Sequence, residues 1–284
     1  MNLNKVNLVD LHMHSNFSDG VLSPSALAEI AAKAGLVAFS ITDHDTLEGL
    51  NEAFNAARRL IIDFIPGIEM SCFLGEREVH ILGYYPQQSD QLFEVLERMQ
   101  DERRHRIEKM VSALKSLGFK LTIEDLKAEA KDAAPGRLHL ARLLLKRKYV
   151  HTVDEAFALY LGKGKPAYVS RKLLPAAEVL KLLKISGAIT VLAHPGHEGK
   201  GDVDSLLKHG LDGVEVFHPD HSPKIVKYYK NIAENYNLLV TGGSDFHGDF
   251  RSHKSYSTKH AIDITYLEKL KTVRSFHGAY KMLQ

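Results

Sequence analysis

Short apolar runs alternate along most of the chain with segments whose apolar residues recur three or four apart. Val6–Leu11 reads as a strand. Ser23-Pro24 then fits an N-cap followed by proline at the first helical position, opening a helix to about Ala34 that Gly35 stops. Leu36–Thr42 predicts a buried strand, Thr46–Leu60 a helix, Ile61–Glu69 a third strand and Arg77–Tyr85 a fourth. Such alternation implies parallel strands joined by crossover helices. The rhythm breaks between Gln88 and Lys165, where the pattern is helical throughout. Ile107, Met110, Val111, Leu114 and Leu117 share one helical face, and Leu138–Tyr149 and Val153–Leu161 read as short helices. Alternation then resumes. Helices are predicted at Ala176–Ser186, Val203–His209 and Ser222–Asn235, with strands at Ala188–Ala193, Gly213–Phe217 and Leu238–Thr241 and a last helix near Thr265–Val273. The expected organisation is an α/β barrel from residues 1–87 and 166–284, interrupted by a helical insertion, or cap, over 88–165.

Composition narrows the class. Among 284 residues, 37 Lys+Arg against 35 Asp+Glu leave a net charge of +2, which argues against a protein living on bulk nucleic-acid electrostatics. A single cysteine, Cys72, excludes an internal disulfide framework and reads as a buried thiol. Met1–Val9 lacks the basic and apolar regions of a signal peptide, and nothing approaches the roughly 18 apolar residues of a membrane span, so a cytoplasmic location is expected. Histidine is the outlier, at 16 residues.

The histidines fall where strands end. His12 and His14 have the i, i+2 spacing that puts two side chains on one face of a strand, and Asp19 follows in the next loop. The second strand ends in Asp43-His44-Asp45, the third ends in Glu69 and the fourth carries His80. Later strands end in His194, in His218 with His221, and in Asp245 with His247. The C-terminal edge of parallel strands is where α/β folds build sites. Imidazole with carboxylate suits Mn, Fe or Zn rather than Ca or Mg. The set is too large for one ion and implies two or three divalent metals, with a carboxylate such as Glu69 bridging.

Asp10-Leu-His-Met-His-Ser with Asp19-Gly20, Ile41-Thr-Asp-His-Asp-Thr, Pro66-Gly-Ile-Glu, His80-Ile-Leu-Gly-Tyr, Ala193-His-Pro-Gly and Gly243-Ser-Asp-Phe-His occur in order from about residue 8 to 248. As a set they resemble the motifs of the PHP (polymerase and histidinol phosphatase) family. The resemblance implies a distorted (β/α)7-type barrel holding up to three metals. It implies one site from His12, His14, Glu69 and Asp245, a second from Glu69, His80 and His194, and a third from Asp19, His44 and His247. Gly136-Arg-Leu-His-Leu-Ala-Arg and Tyr160-Leu-Gly-Lys-Gly-Lys-Pro-Ala-Tyr168 resemble the subgroup of nucleoside 3′,5′-bisphosphate phosphatases and related 5′→3′ exoribonucleases.

Clustered metals supply hydroxide near neutral pH and clamp phosphoryl oxygens, which suits attack of metal-activated hydroxide on a phosphate ester. Amide hydrolysis would use the same site, so the metals alone do not choose. The insertion favours phosphate: Arg137 and His139, with Lys163, Lys165 and Arg171, are placed to hold a second phosphate that is not hydrolysed. Lys146-Arg147-Lys148 reads as surface charge. Asp43 and Asp45 are expected to orient ligands; Asp45, His194 and His218 form the expected catalytic set. His218 and His221 are the candidates for the acid that protonates the leaving ribose oxygen, or for substrate contact. The expected substrate is a nucleoside 3′,5′-bisphosphate or a short RNA 5′ end, with no membrane and no obligate protein partner. Two other readings stand beside it. One is a phosphatase on another small ester such as histidinol phosphate, separated by a substrate panel. The other is a non-catalytic metal-binding module, excluded by metal-dependent turnover that His194→Ala abolishes.

Overall fold

The computed structural model describes residues 7–130, 135–248 and 256–281, with side chains through 274. Val6, the predicted start of the first strand, lies outside them. Eight strands form one sheet in the order β7-β6-β5-β4-β3-β2-β1-β8. They are β1 (Leu8–Asp10), β2 (Ala38–Ile41), β3 (Asp63–Leu74), β4 (Arg77–Tyr84), β5 (Ile189–Leu192), β6 (Gly213–Phe217), β7 (Leu239–Gly242) and β8 (Ile262–Asp263). The sheet curls until β7 meets the chain that leaves β1. Leu11 N donates to Gly242 O (3.2 Å), His14 N to Phe246 O (2.9 Å) and Asp245 N to His12 O (2.9 Å). Gly243 permits this closure, since a Cβ there would lie 2.5 Å from the His12 backbone nitrogen. The result is the expected α/β architecture, a distorted, nearly closed barrel.

The expectation of parallel strands fails at β4, which runs antiparallel to both β3 and β5. Only Gly75 and Glu76 separate β3 from β4, and a two-residue connection can only reverse the chain. Gly75 takes φ +63, a conformation that suits glycine at a hairpin turn. This hairpin also carries β3 past Glu69, its predicted end, to Leu74. Around the sheet stand α1 (Pro24–Lys33), α2 (Leu50–Leu60), α7 (Ala176–Ile185), α8 (Asp202–Leu207), α9 (Pro223–Asn235) and α10 (Ile264–Lys281). Ser23 caps α1 by accepting from Ala26 N, as its sequence predicts. Helix α2 starts later than Thr46 because the residues before it pair with β3: Asp45 takes φ +55 and its N–H donates to Glu69 O (2.9 Å).

Between β4 and β5 the described chain is helical: α3 (Asp90–Ser116), α4 (Ile123–Ala130), α5 (Arg137–Lys146), α6 (Val153–Ala156) and a π-helical turn (Phe157–Leu161). Helix α3, about 40 Å long by its rise per residue, belongs to two cores. Its first half places Leu92, Val95, Leu96 and Met99 against β3–β6, α7 and α9. Its second half places Ile107, Met110, Val111 and Leu114 in a separate apolar cluster with α4 and α5. One rigid element therefore carries the helical segment over the strand ends. Among the described residues no helix is long and apolar enough to cross a membrane.

Candidate metal centre

All nine residues expected to bind metal converge at the C-terminal edge of the barrel. Glu69, buried on β3, is the hub. One oxygen, Oε2, lies 3.3 Å from His12 Nε2, 3.1 Å from His14 Nε2 and 3.2 Å from His44 Nδ1. The other, Oε1, lies 2.9 Å from both His80 Nδ1 and His194 Nε2. Asp245 Oδ1 approaches His14 Nε2 (3.1 Å) and His12 Nε2 (3.5 Å), and Asp19 approaches His247 Nε2 (3.1 Å). Three ligand groups overlap the implied sites without reproducing them: His12–His14–Asp245 lacks Glu69, His12–Glu69–His194 has His12 in place of His80, and His14–Asp19–His44–His247 adds His14. A fourth, His44–Glu69–His80, shows that His44 also reaches the bridging carboxylate.

The donor chemistry fits metal ions. His12 Nε2 and His14 Nε2 are 3.0 Å apart, with carboxylate oxygens on the same point. His14 Nδ1 and His44 Nδ1 are buried without a hydrogen bond. So many converging lone pairs in a largely buried site require protons or cations between them. Glu69 presents each oxygen to a different histidine set, the arrangement of a bridging ligand. In the metal-free site, burial alone would raise Glu69, but His44, His80 and His12 hold it well below the usual carboxylate range. Burial pushes His14 down, yet Asp245 and Glu69 raise it to about 10. His12 is likewise driven up, against burial, by Glu215 and Glu69. Protons thus occupy His12 and His14 at neutral pH. The contribution of His14 to metal-free stability is complete below the unfolded value of about 6.5 and is lost as pH rises through about 10. Because metal must displace these protons, Mn²⁺ affinity is expected to rise with pH from about 6 to 9. Calorimetry in buffers of different ionisation enthalpy should register proton release; binding independent of both pH and buffer contradicts this.

Glu215, on β6, is a site residue that the sequence reading missed. It is fully buried. Its Oε1 accepts from His12 Nδ1 (2.9 Å) and its Oε2 from the His194 backbone N–H (2.8 Å). Fixing the His12 proton on Nδ1 leaves Nε2 to face the cluster, the tautomer a ligand needs. Glutamine at 215 must turn its NH₂ toward one of these donors. Glu215→Gln is therefore expected to weaken metal binding about 10–100-fold, read by titration with Mn²⁺; unchanged affinity contradicts the role. Asp10 acts similarly, accepting from His12 N, Ser244 N and the Tyr256 hydroxyl. Asp43 accepts from Ser15 and Ser18, shaping the loop that carries Asp19. Asp45, His194 and Asp245 all hold positive φ (55, 25 and 48), a conformation costly for side-chain-bearing residues and concentrated at functional sites.

Beside the cluster lies a cavity of about 160 Å³, lined by Asp19, His44 and His80 on one side and by Arg103, Arg106, Arg137 and Arg171 on the other. Arg103 and Arg106 come from α3, which is anchored over the site by Gln100 Nε2 donating to Asp45 O (2.9 Å). Arg137 opens α5. Arg171 is buried against Asp45 Oδ2 (2.6 Å) with its Nε unpartnered. Burial and the neighbouring Arg137 push Arg106 down to about 10. Two carboxylates stand against these four arginines: Asp45, 3.9 Å from Arg103 as well as bound to Arg171, and Glu78, 3.7 Å from Arg137 and 3.8 Å from Arg171. Cations crowded this way are relieved by an anion.

Other expected residues fall elsewhere. Asp45 directs its oxygens to Ser71 and Arg171, so it positions an arginine rather than touching reacting atoms. Lys165, expected at phosphate, is an exposed turn residue outside the cavity, as is Lys163. His139 accepts the Gly136 N–H on Nδ1, and burial pushes it down to about 4, so it stays neutral as a helix cap outside the cavity lining. His221 donates from Nδ1 to Val216 O and accepts from Gly196 N on Nε2, which leaves neither nitrogen for substrate. His218 is different. Its Nδ1 accepts from Asp220 N (3.1 Å), which places its proton on Nε2, 3.4 Å from Asp245. Cys72 is buried, its thiol pushed up by burial.

The PHP domain matches residues 10–240, most of the chain. The chain belongs to the PHP family. Among PHP relatives, a 3′,5′-nucleoside bisphosphate phosphatase of Chromobacterium violaceum is 30% identical over 247 residues, covering 84% of this chain and 87% of the relative. The 5′-3′ exoribonuclease Rnm of Escherichia coli is 30% identical over 249 residues, covering 84% and 85%. A phosphoribosyl 1,2-cyclic phosphate 1,2-diphosphodiesterase of Eggerthella lenta is 31% identical, covering 85% and 94%. A solved protein of Bifidobacterium adolescentis, assigned as a metal-dependent phosphoesterase, superposes with TM-score 0.86 at 29% identity over 92% of this chain and 94% of that one. This PHP chain is a metal-dependent phosphoesterase.

Proposed function

We propose that the protein hydrolyses the phosphate at the 3′ position of nucleotides that also carry a 5′-phosphate, as nucleoside 3′,5′-bisphosphates or as the 5′ ends of short RNA. The observation that carries this reading is the arginine-lined cavity sharing His44, His80 and Asp19 with the ligand cluster. Two anion sites side by side match two phosphates on one ribose. The relatives named as bisphosphate phosphatase and exoribonuclease act on such molecules.

Mn, Fe or Zn held by His12, His14, Asp19, His44, Glu69, His80, His194, Asp245 and His247 would lower the pKa of a water toward neutrality and offset phosphoryl charge. The chain's own groups do the rest. Arg137, Arg171, Arg103 and Arg106 hold the phosphate that is not cleaved and so fix the ester over the cluster. Glu215 and Asp10 keep His12 aligned. His218 carries its proton on Nε2 and is the donor proposed to protonate the leaving ribose oxygen.

Arg137→Ala tests the two-phosphate reading. It is expected to raise KM for adenosine 3′,5′-bisphosphate about 10–100-fold, the worth of a charge-assisted hydrogen bond. Hydrolysis of p-nitrophenyl phosphate, which has no second phosphate, should be unchanged. Equal effects on both esters contradict a second-phosphate site.

A further inference from the structure

The ligand cluster opens on a second side. A cavity of about 260 Å³ borders it through His80 and His194 and is bounded by Gly196, His197, Glu198, Asp202 and Asp220. His80 and Glu78 form the wall between this cavity and the arginine-lined one. The two are opposite in charge. The second cavity has one arginine, Arg77, and Asp202 already binds it. Glu78 faces Arg137 and Arg171 of the other cavity, whereas Glu198 and Asp220 are exposed with no cation bridge among the described residues.

The consequence depends on what the reacting phosphate is attached to, and it rests on the two-phosphate reading above. In a nucleoside bisphosphate the reacting group is a terminal monoester that ends at the cluster. In RNA the same phosphate continues into a further nucleotide. With the first nucleotide in the arginine cavity, the opening that borders the cluster through His80 and His194 is the path the structure offers that continuation among the described residues. There it meets carboxylates, and each further phosphodiester adds one more negative charge to a like-charged wall.

We infer that the acidic second opening selects against substrates whose reacting phosphate continues into a chain, so that the protein acts on terminal phosphomonoesters of nucleoside bisphosphates in preference to RNA 5′ ends. Glu198 and Asp220 set this selectivity from outside the ligand cluster.

The test compares kcat/KM for adenosine 3′,5′-bisphosphate and for a 5′-phosphorylated RNA tetramer, each with Mn²⁺. The wild-type protein and Glu198→Gln/Asp220→Asn are measured at low and raised salt. The wild type is expected to favour the bisphosphate by roughly tenfold or more at low salt, with the ratio narrowing as salt screens exposed charges. The double variant should shift the ratio several-fold toward RNA while its bisphosphate kinetics stay at the wild-type level. Glu198→Lys should shift it further. A wild type that cleaves RNA as well as the bisphosphate, or a ratio that neither variant nor salt moves, overturns the inference and leaves the two-phosphate reading intact. Hydrolysis of neither substrate, with p-nitrophenyl phosphate still cleaved, overturns that reading and the inference with it.

Discussion

Glu69→Gln is expected to lower phosphoesterase activity by at least about a thousandfold, more than the 10–100-fold typical of a group that only orients a ligand. Five histidine ring nitrogens lie within 3.3 Å of its two oxygens, three at one oxygen and two at the other. Glutamine keeps the volume and one acceptor oxygen. Its NH₂ must then face either the His12–His14–His44 side or the His80–His194 side, and it cannot bridge cations. The change should therefore appear in metal content before it appears in kinetics. Elemental analysis of the purified variant is expected to show at least one metal fewer per chain than the wild type. Full metal content with full activity contradicts the bridging role. A folded variant, judged by its thermal transition, excludes simple misfolding as the cause.

Arg171→Ala is expected to produce the largest loss of stability. Arg171 and Asp45 are both buried, 2.6 Å apart, and Asp45 also accepts from Ser71 N and Ser71 Oγ. Removing the guanidinium leaves a carboxylate in a site where burial disfavours its charge and where Arg171 and Arg103 hold it ionised. Loss of one partner of a buried pair costs about 3–5 kcal/mol, which should lower the unfolding midpoint by several degrees. Substituting both residues, Asp45→Asn with Arg171→Met, should recover part of the loss, because no unpaired charge is then buried. A single variant as stable as wild type contradicts the pairing. Since Arg171 also lines the arginine cavity proposed to hold a phosphate, the variant should bind adenosine 3′,5′-bisphosphate more weakly at temperatures where it remains folded.

The ligands could be read from the chain because each ends, follows or lies within a strand, and period-two spacing puts His12 with His14 on one face. Strand direction could not be read. An apolar run looks the same in either sense, and only the two-residue Gly75–Glu76 connection reverses β4. Glu215 was missed because a charged residue inside Gly213–Phe217 does not announce its partners, which come from the segments after β1 and after β5. Its signal was nonetheless present: a carboxylate in the middle of a buried apolar strand needs a partner. The basic residues show the same limit. Arg103 and Arg106 precede Ile107 and Met110 by one helical turn, so they lie on the apolar stripe of α3 and point inward with it. Lys165 sits in a turn with no periodicity to fix its direction, and it points to solvent. His221 and His139 had the right residue type at suggestive positions, but backbone groups claimed their ring nitrogens, and such contacts leave no trace in spacing.

The most direct test of the whole account is phosphate release from adenosine 3′,5′-bisphosphate, with Mn²⁺ supplied and with a chelator as control. Chelator-sensitive release that leaves adenosine 5′-monophosphate is the result predicted by the proposal that the arginine cavity retains the 5′-phosphate while the ligand cluster takes the 3′. No release from protein shown to carry bound metal, or release that leaves the 3′-monophosphate instead, would contradict it.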